Sequence, residues 1–545
     1  MFGLSFTSLL PPIIKQSIHK SSRSTCRIGM TSGTYPMSPL STAHYSRREN
    51  EIPPHIVFLE TVGQGHINPT LPLLAALVAK GCIVTFFADS EGNLPPDDMA
   101  REDTPLGTAI IAAGAKLRSY HFDQELFETE PRLSGLNARW LKLPALLNDL
   151  RELQPDGIIY DPFNPLFPAA ARILDIPYIG LVPHSGPGTM ASAETPEALE
   201  RAAGAREWLM ETHGLDLFTL GVPSASWYSP SLNLVLASKP FFAPMKTDAQ
   251  RKLWKAGCFK CVGTLIDPKQ KIRSDQADFP LDRIRAFKEG VGVDEEKKRI
   301  VLLSLGSVIT GKFLDVQLGR IIPSHIQSND DGFRLPEDCH GSEDNRGKTL
   351  FDMTGRDLVH FVFKRAMDAL GGRSDVLVIL VCGHRGAEEV LNGLGDNDSK
   401  PCDSVLSRGN LPENFLAFSK VPQLDILPLC DAFITHGGMG SVMEAVLYQV
   451  PMVVVPCFGD QTWNADCIDK AKLGVSFRYP LRTLTVDALR DAVLKISAKQ
   501  PDNNIYQQSL QRAAESMENN GGADKAADLA IGVFNSSWGN GELTN

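Results

Sequence analysis

No apolar run in this 545-residue chain reaches the roughly 18–20 residues that a membrane-spanning helix needs. A basic surplus is missing too. Lys and Arg number 54 against 64 Asp and Glu, a net charge of −10 that argues against a nucleic-acid surface. The ten cysteines follow no framework spacing, and Cys82, Cys382 and Cys457 sit within or beside apolar runs. They read as reduced core residues of a cytosolic protein. Cys258-Phe259-Lys260-Cys261 is a lone CxxC with no second pair and no matching His cluster, which speaks against a metal or redox site. Acids are absent before Glu49, while Lys15, Lys20, Arg23, Arg27, Arg47 and Arg48 are present. That bias suits a mitochondrial transit peptide, but Pro11 and Pro12 interrupt any amphipathic helix. A disordered extension over 1–54, or a true start at Met30, explains it equally well, and the fold is expected to begin near His55.

What is present is ordinary for a soluble globular protein: 43% hydrophobic and 22% charged residues. Short apolar runs alternate with helical segments. Ile56–Leu59, Cys82–Ala88, Lys116–Tyr120, Gly157–Tyr160, Tyr178–Val182 and Leu232–Ala237 read as strands. Helices are expected over Pro69–Lys80 and Pro168–Leu174, with a loosely helical region at Leu126–Leu150. This alternation predicts a parallel, doubly wound α/β domain over 55–266. The charge-dense segment 267–298 reads as a linker. A second domain of the same kind spans 299–500, with strands at Ile300–Leu305, Val376–Val381, Ala432–Thr435 and Met452–Val455. Its pattern is broken over about 310–357, expected to be a disordered surface insertion, because a structureless loop that long is uncommon inside a domain. Helices Val486–Ile496, Asn504–Asn519 and Ala523–Phe534 follow, and residues 501–545 are expected to pack back on the first domain and end in a polar tail.

Gly63-x-Gly65 after the first strand, with Asp89 ending the next, invites a dinucleotide reading. Asn68 stands where the third glycine belongs, and His66 occupies the turn the pyrophosphate would approach. A dehydrogenase is therefore disfavoured. The densest signal is AFITHGGMGSVMEAVLYQVPMVVVPCFGDQTWN, Ala432 to Asn464. It reads as strand, Gly-rich turn, helix, strand and a further helix start. Ser441 is expected to cap the helix, with Glu444 closing a capping box. Free N–H groups and a positive dipole end at such a helix suit a phosphate.

Val421-Pro422-Gln423-Leu424-Asp425, Thr435 to Ser441, Glu444, and Gly459-Asp460-Gln461 with Asn464 resemble the nucleotide-sugar box of the UDP-glycosyltransferases. The spacing from Pro422 to His436 is similar to the macrolide-glycosyltransferase branch, bacterial and fungal, rather than the plant branch. The resemblance is dense over that stretch and looser over residues 55–500. It implies the GT-B fold, two facing Rossmann-like domains, and an inverting transfer of a hexose from a UDP-sugar, UDP-glucose first, to a hydroxyl. The expected acceptor is a small apolar molecule such as a secondary metabolite. Neither a cofactor nor a metal is expected, and no nucleic-acid partner. Animal relatives carry a C-terminal membrane anchor, whereas this chain ends in polar FNSSWGNGELTN, so a cytoplasmic location is expected.

The resemblance also assigns roles. His66 falls at the position of the family's base, and an imidazole titrating near neutrality suits proton abstraction at pH 7. A structural, capping histidine is its bland alternative. Asp161, at the end of a strand, is the expected orienter of that imidazole, with a helix cap as its alternative. Ser307, His436, Gly438, Gly440 and Ser441 are expected around the diphosphate. At Gly440, where the plant pattern has Asn, only backbone can make the contact. Val421 is expected at the uracil with Gln423 beside it, Glu444 at the ribose, and Asp460 and Gln461 at the sugar. Phe122, Trp140, Phe163 and His184 lie in segments expected to line the acceptor site, though each residue type is more often core. Asp396-Asn397-Asp398 has the spacing of a metal-binding Asp-x-Asp, but it follows Asn392-Gly393-Leu394-Gly395 rather than an apolar strand, so it reads as a solvated loop. Two rivals share the fold: a sugar-nucleotide epimerase, which needs carboxylates around the sugar and no acceptor site, and a catalytically silent UDP-sugar-binding protein.

Overall fold

A computed structural model describes residues 53–61, 64–89, 100–120, 123–186, 196–216, 228–243, 248–266, 279–290, 298–318, 353–383, 411–498 and 504–539. The N-terminal extension, most of the 310–357 insertion and Asp396–Asp398 lie outside them.

Two all-parallel sheets organise the chain. The first holds β1 (His55–Leu59), β2 (Ile83–Asp89), β3 (Lys116–Tyr120), β4 (Gly157–Tyr160), β5 (Tyr178–Val182), β6 (Asn233–Val235) and β7 (Phe259–Cys261), in the order β3-β2-β1-β4-β5-β6-β7. The second holds β8 (Arg299–Ser304), β9 (Val376–Val381), β10 (Phe415–Phe418), β11 (Ala432–Thr435), β12 (Met452–Val454) and β13 (Gly474–Ser476), in the order β10-β9-β8-β11-β12-β13. Helices cover both faces, so the central strands are continuous apolar runs rather than alternating ones. Ile56 to Leu59, Ile300 to Leu303 and Ala432 to Ile434 are fully buried.

Strand order reverses between β1 and β4 in one sheet and between β8 and β11 in the other. Register pairs Leu59 with Tyr160, and Ser304 with Thr435. At such a switch point the loops leave in opposite directions and open a crevice beyond the strands' C-terminal ends. Both halves of this molecule therefore offer a site at the same topological place.

The halves are tied together at two levels. The helix Gly522–Gly539 returns to the first sheet, where Ala526, Ala527, Ala530 and Phe534 join the core with Leu73, Leu74 and Leu77. Phe534 lies so close over β4 that a Cβ on Gly157 would come within 2.5 Å of its ring. Nearer the crevice, Trp463 Nε1 donates to the Phe241 carbonyl at 2.9 Å, and Ser238 Oγ donates to Met443 Sδ at 3.6 Å.

Two expectations need correction. The 267–298 segment is more than a linker: Leu281–Glu289 is a helix, and Ile284 is fully buried in a core shared with β8, β9 and β11. Its charge density hid one anchored stripe. The insertion is also narrower than expected. Phe313, Leu314, Leu318 and Met353 are fully buried, Gln317 bridges Thr354, and the next helix begins at Gly355, inside the expected insertion. A capping box starts it, with Thr354 Oγ1 accepting from the Asp357 N–H and Asp357 Oδ2 accepting from the Thr354 N–H.

Candidate active site

In the first sheet, the chain leaves β1 through the short helical turn Gln64–Ile67, which carries His66, and leaves β4 at Asp161. The Asp161 N–H donates to the Leu59 carbonyl at 3.0 Å, which locks the two strand ends together. His66 Nδ1 then meets Asp161 Oδ2 at 2.7 Å. Asp161 is fully buried while the His66 side chain is 31% exposed, so the pair has a closed end and an open one. Asp161 Oδ1 accepts from the Phe163 N–H at 2.9 Å. Burial works to raise the Asp161 carboxyl, but the charge and hydrogen bond of His66, with the Phe163 N–H, outweigh it and hold it below its ordinary value. An ionised carboxylate on one ring nitrogen leaves Nε2 as the atom that can take a proton.

Two rings extend this site. Phe163 packs edge-on against His66, centroids 5.3 Å apart, and against His184 at 4.9 Å. His184 is buried, and its Nδ1 accepts from the Gly186 N–H at 3.2 Å. Trp140 is not beside them: it is buried in the opposite core layer with Leu59, Leu133, Leu146 and Tyr160. Its bulk fills the space under the 3-10 segment Gly135–Lys142, so it belongs to the core rather than to a lining. Phe122 lies outside the described residues.

In the second sheet, β8 is followed by Leu305-Gly306-Ser307 and β11 by His436-Gly437-Gly438. Gly306 has φ +80°, and a Cβ there would come within 2.4 Å of the His436 ring. A Cβ on Gly438 would come within 2.5 Å of His436 Nε2. The imidazole thus sits in a slot that only two glycines leave open. Burial pulls His436 down to about 4, so at neutral pH it is an uncharged hydrogen-bonding group.

The following helix, Met439–Leu447, begins at Gly438, not at Ser441, which corrects the expected capping box. Gly438 already has the extended backbone of a cap (φ −62°, ψ 141°), so Ser441 falls inside the first turn and no side chain satisfies that turn's N–H groups. Glu444 does not reach back either. Its Oε2 accepts from Gln423 Nε2 at 2.5 Å, and that amide also lies 3.4 Å from Ser441 Oγ. Around Gly440 a Cβ would meet open space. Ser307 is exposed at the head of the facing turn, and Val421 is half-buried beside Gln423.

Asp460 and Gln461 start the helix Gln461–Ala471. Gln461 Oε1 accepts from the Cys457 and Phe458 N–H groups at 2.8 and 3.0 Å, so part of this side chain shapes its own turn. Asn464 Nδ2 donates to the Gly437 carbonyl at 2.8 Å and to Asp460 Oδ2 at 3.1 Å. Ser185 of the first half reaches the same two side chains. The structure therefore brings the His436–Gly438 turn, the Asp460–Asn464 cluster and the His184–Phe163–His66 row to one seam.

The family model described as UDP-glucoronosyl and UDP-glucosyl transferase matches residues 405–513, which carry this turn and cluster. NDP-glycosyltransferase YjiC of Bacillus subtilis is 24% identical over 488 residues, 87% of this chain and 95% of its own. Oleandomycin glycosyltransferase of Streptomyces antibioticus is 36% identical over 121 residues, 22% of this chain and 27% of its own. The crystal structure of the glycotransferase of kitacinnamycin shares the fold, with a TM-score of 0.56 at 22% identity over 88% of this chain and 99% of that one.

Residues 405–513 belong to the UDP-glycosyltransferase family.

The chain as a whole has the GT-B fold and is similar along its length to sugar-nucleotide-dependent glycosyltransferases of the macrolide type. Among the described residues no helix is long and apolar enough to cross a membrane. Sequence reasoning missed two buried residues of this candidate site, Glu60 and Ser185. Glu60 is buried directly before the turn that carries His66, and burial, helped by the Asp161 charge, pushes its carboxyl well above its ordinary value. An acid ending an apolar strand was the available signal. Ser185 had none.

The buried histidines make stability pH-dependent. Burial lowers His184 to about 4, below the ordinary 6.5 of the unfolded chain. As pH falls below about 6.5 the unfolded chain therefore takes up the proton first, and stability is lost between about 6.5 and 4. At about 1.4 kcal/mol per pH unit, His184 alone costs about 2 kcal/mol by pH 5. Melting temperature should drop from pH 7 to pH 5, and His184→Gln should flatten that slope. An unchanged slope in the variant would contradict the assignment.

Proposed function

We propose that this chain moves a hexose, glucose in the first instance, from UDP to a hydroxyl of a small apolar acceptor, with inversion at the anomeric carbon. The observation that carries this reading is the His66–Asp161 pair, 2.7 Å apart at the first sheet's switch point and half open to the crevice. His66 Nε2 takes the acceptor O–H proton as the oxygen attacks C1 of the sugar. The C1–O bond to UDP breaks on the opposite face, and UDP leaves with the electron pair. Asp161 keeps the ring oriented and stabilises the imidazolium until the proton passes to water. The uncapped N–H groups from Met439 onward, with neutral His436 as a hydrogen-bonding neighbour, receive the diphosphate charge. Gln423 and Glu444 are assigned to the nucleoside, with Val421 at the base. Phe163 and His184 border the acceptor. A screen of purified protein with several UDP-sugars against an acceptor library tests the reading, and a protein that interconverts UDP-sugars without any acceptor would replace it with the epimerase.

The reaction needs no metal in this scheme, because helix N–H groups take the charge that an ion would otherwise neutralise. EDTA is expected to leave the transfer rate within about a factor of three, since no ion must be dislodged. Loss of activity restored by Mg²⁺ or Mn²⁺ would overturn this.

Asp460 and Gln461 are assigned to the sugar hydroxyls. Since Gln461 Oε1 is engaged by its own turn, its NH₂ is the group that meets the sugar. A mismatched hydroxyl leaves a buried polar group unpaired, at about 1–3 kcal/mol. Gln461→Ala is expected to weaken discrimination among UDP-sugars by roughly tenfold, one such pairing, with UDP affinity little changed. Donor preference ratios equal to wild type would remove Gln461 from the sugar site.

A further inference from the structure

The seam between the halves holds a hydrogen-bond cluster around Asp460 whose member from the first half, Ser185, has no part in the transfer chemistry above. Ser185 follows β5 in the first half and is fully buried. Its N–H donates to Asp460 Oδ2 at 3.3 Å, and its hydroxyl lies 3.4 Å from the same oxygen. That hydroxyl is closer still to Asn464 Oδ1, to which it donates. Asn464 in turn donates to Asp460 Oδ2 and to the carbonyl of Gly437 inside the His436–Gly438 turn. Two donors, the Ser185 N–H and Asn464 Nδ2, thus converge on one carboxylate oxygen of Asp460, and the Ser185 hydroxyl holds the Asn464 amide that supplies the second.

Ser185 is itself immobilised. Its carbonyl accepts from the Ala243 N–H at 2.7 Å, and Gly186, with φ +90°, lets Phe242 pack where a Cβ would come within 2.5 Å of the ring. Phe242 stacks on Trp254, centroids 4.8 Å apart. On the other side of Ser185, His184 touches Phe163 and so the ring row leading to His66.

From this geometry we infer that Ser185 is a positioning residue for the donor sugar: reaching across the seam, it fixes the Asp460 carboxylate and Asn464 so that the sugar is held in register with the acceptor-side base. Burial raises the Asp460 carboxyl, and donors on Oδ2 favour its ionised form. The fixed carboxylate presents Oδ1 to a pair of sugar hydroxyls with little entropy left to lose. Because Ser185 belongs to one half and Asp460 to the other, the arrangement exists only when the halves are closed on each other. A sugar gripped this way meets the His66 side of the crevice rather than bulk water.

The inference rests on the assignment of Asp460 to the sugar, and two variants separate the claims. Ser185→Ala removes the hydroxyl but keeps the backbone N–H. It is expected to raise KM for UDP-glucose about tenfold, the effect of leaving the buried Asn464 Oδ1 without its donor. UDP inhibition should stay within about twofold, and the share of UDP-glucose lost to hydrolysis rather than transfer should grow several-fold as water gains access. A merely structural role would move melting temperature and all constants together. Asp460→Asn tests the underlying assignment through the same KM. If Asp460→Asn raises it and Ser185→Ala changes neither KM nor the hydrolysis share, the positioning role is overturned and the sugar site stands. If neither variant matters, the sugar assignment itself fails. Should Ser185→Ala not fold, Ser185→Cys keeps the volume with a weaker donor. An intermediate KM and hydrolysis share would then support the inference, and wild-type values would refute it.

Discussion

His66→Ala is expected to lower kcat for glucosyl transfer by roughly 10²–10⁴-fold, the range for removing a positioned general base. UDP affinity should stay within about threefold, because the residues assigned to the diphosphate and the nucleoside lie in the other half of the molecule. The geometry sets the size of the effect. With Nδ1 bound to a fully buried carboxylate at 2.7 Å, the ring has one free nitrogen and one orientation, so no neighbouring group can substitute. His184 is the nearest imidazole in the row, yet burial lowers it to about 4, and a base that weak accepts little at neutral pH. The variant also leaves Asp161 buried without its partner, which costs about 1–3 kcal/mol of stability. His66→Gln, which can still donate to that carboxylate, should recover much of the melting temperature and none of the rate. A kcat within tenfold of wild type in either variant would remove His66 from the chemistry. If activity tracked melting temperature across the two, the histidine would be structural.

Much of this fold is legible because parallel strands covered on both faces are written as short, unbroken apolar words. Lys116–Tyr120, Gly157–Tyr160, Tyr178–Val182, Val376–Val381 and Ala432–Thr435 are bounded as expected. The strands that escaped are β7, β10 and β13. In Phe259-Lys260-Cys261 an exposed lysine interrupts three residues at a sheet edge, and such a word is too short to carry a period. The helix Leu281–Glu289 escaped because one buried isoleucine anchors it amid five charges. In the site, residues on one strand end could be placed by chain position, and His66, Asp161, His436 and Asp460 all lie at strand ends or the turns that follow. The capping-box reading failed for a local reason. Ser441-x-x-Glu444 satisfies the pattern, but Gly438 enters the helix three residues earlier and leaves Glu444 to Gln423. Ser185 was out of reach altogether, since its partners lie 275 and 279 residues away in the other half. Pairing at that distance follows from how the sheets face each other, which no local pattern records.

Gly306→Ala is expected to cripple donor binding, raising Kd for UDP roughly 10- to 100-fold, about 1.4–2.8 kcal/mol. Gly306 sits at φ +80°, where an L side chain costs about 1–2 kcal/mol of strain. The added methyl would also lie 2.4 Å from His436 Cε1 and 2.7 Å from Nε2. The imidazole has little room to retreat, because the Gly438 backbone lies against the same ring, where a Cβ would come within 2.5 Å of Nε2. Either the ring tips toward the first turn of Met439–Leu447, into the space assigned to the diphosphate, or the β8 and β11 turns move apart. Both outcomes disturb the N–H groups assigned to the phosphates. Gly440→Ala is the matched control. Its Cβ meets open space and its backbone is helical, where Ala is favoured over Gly by about 1 kcal/mol, so melting temperature should hold or rise. If the diphosphate lies over Gly440, that variant should still bind UDP more weakly, by crowding the ligand alone. Calorimetric titration with UDP and a melting curve for each variant decide the matter. UDP binding within threefold of wild type in Gly306→Ala would mean that the His436 slot has no part in holding the donor. Wild-type binding in Gly440→Ala would move the diphosphate away from this helix start.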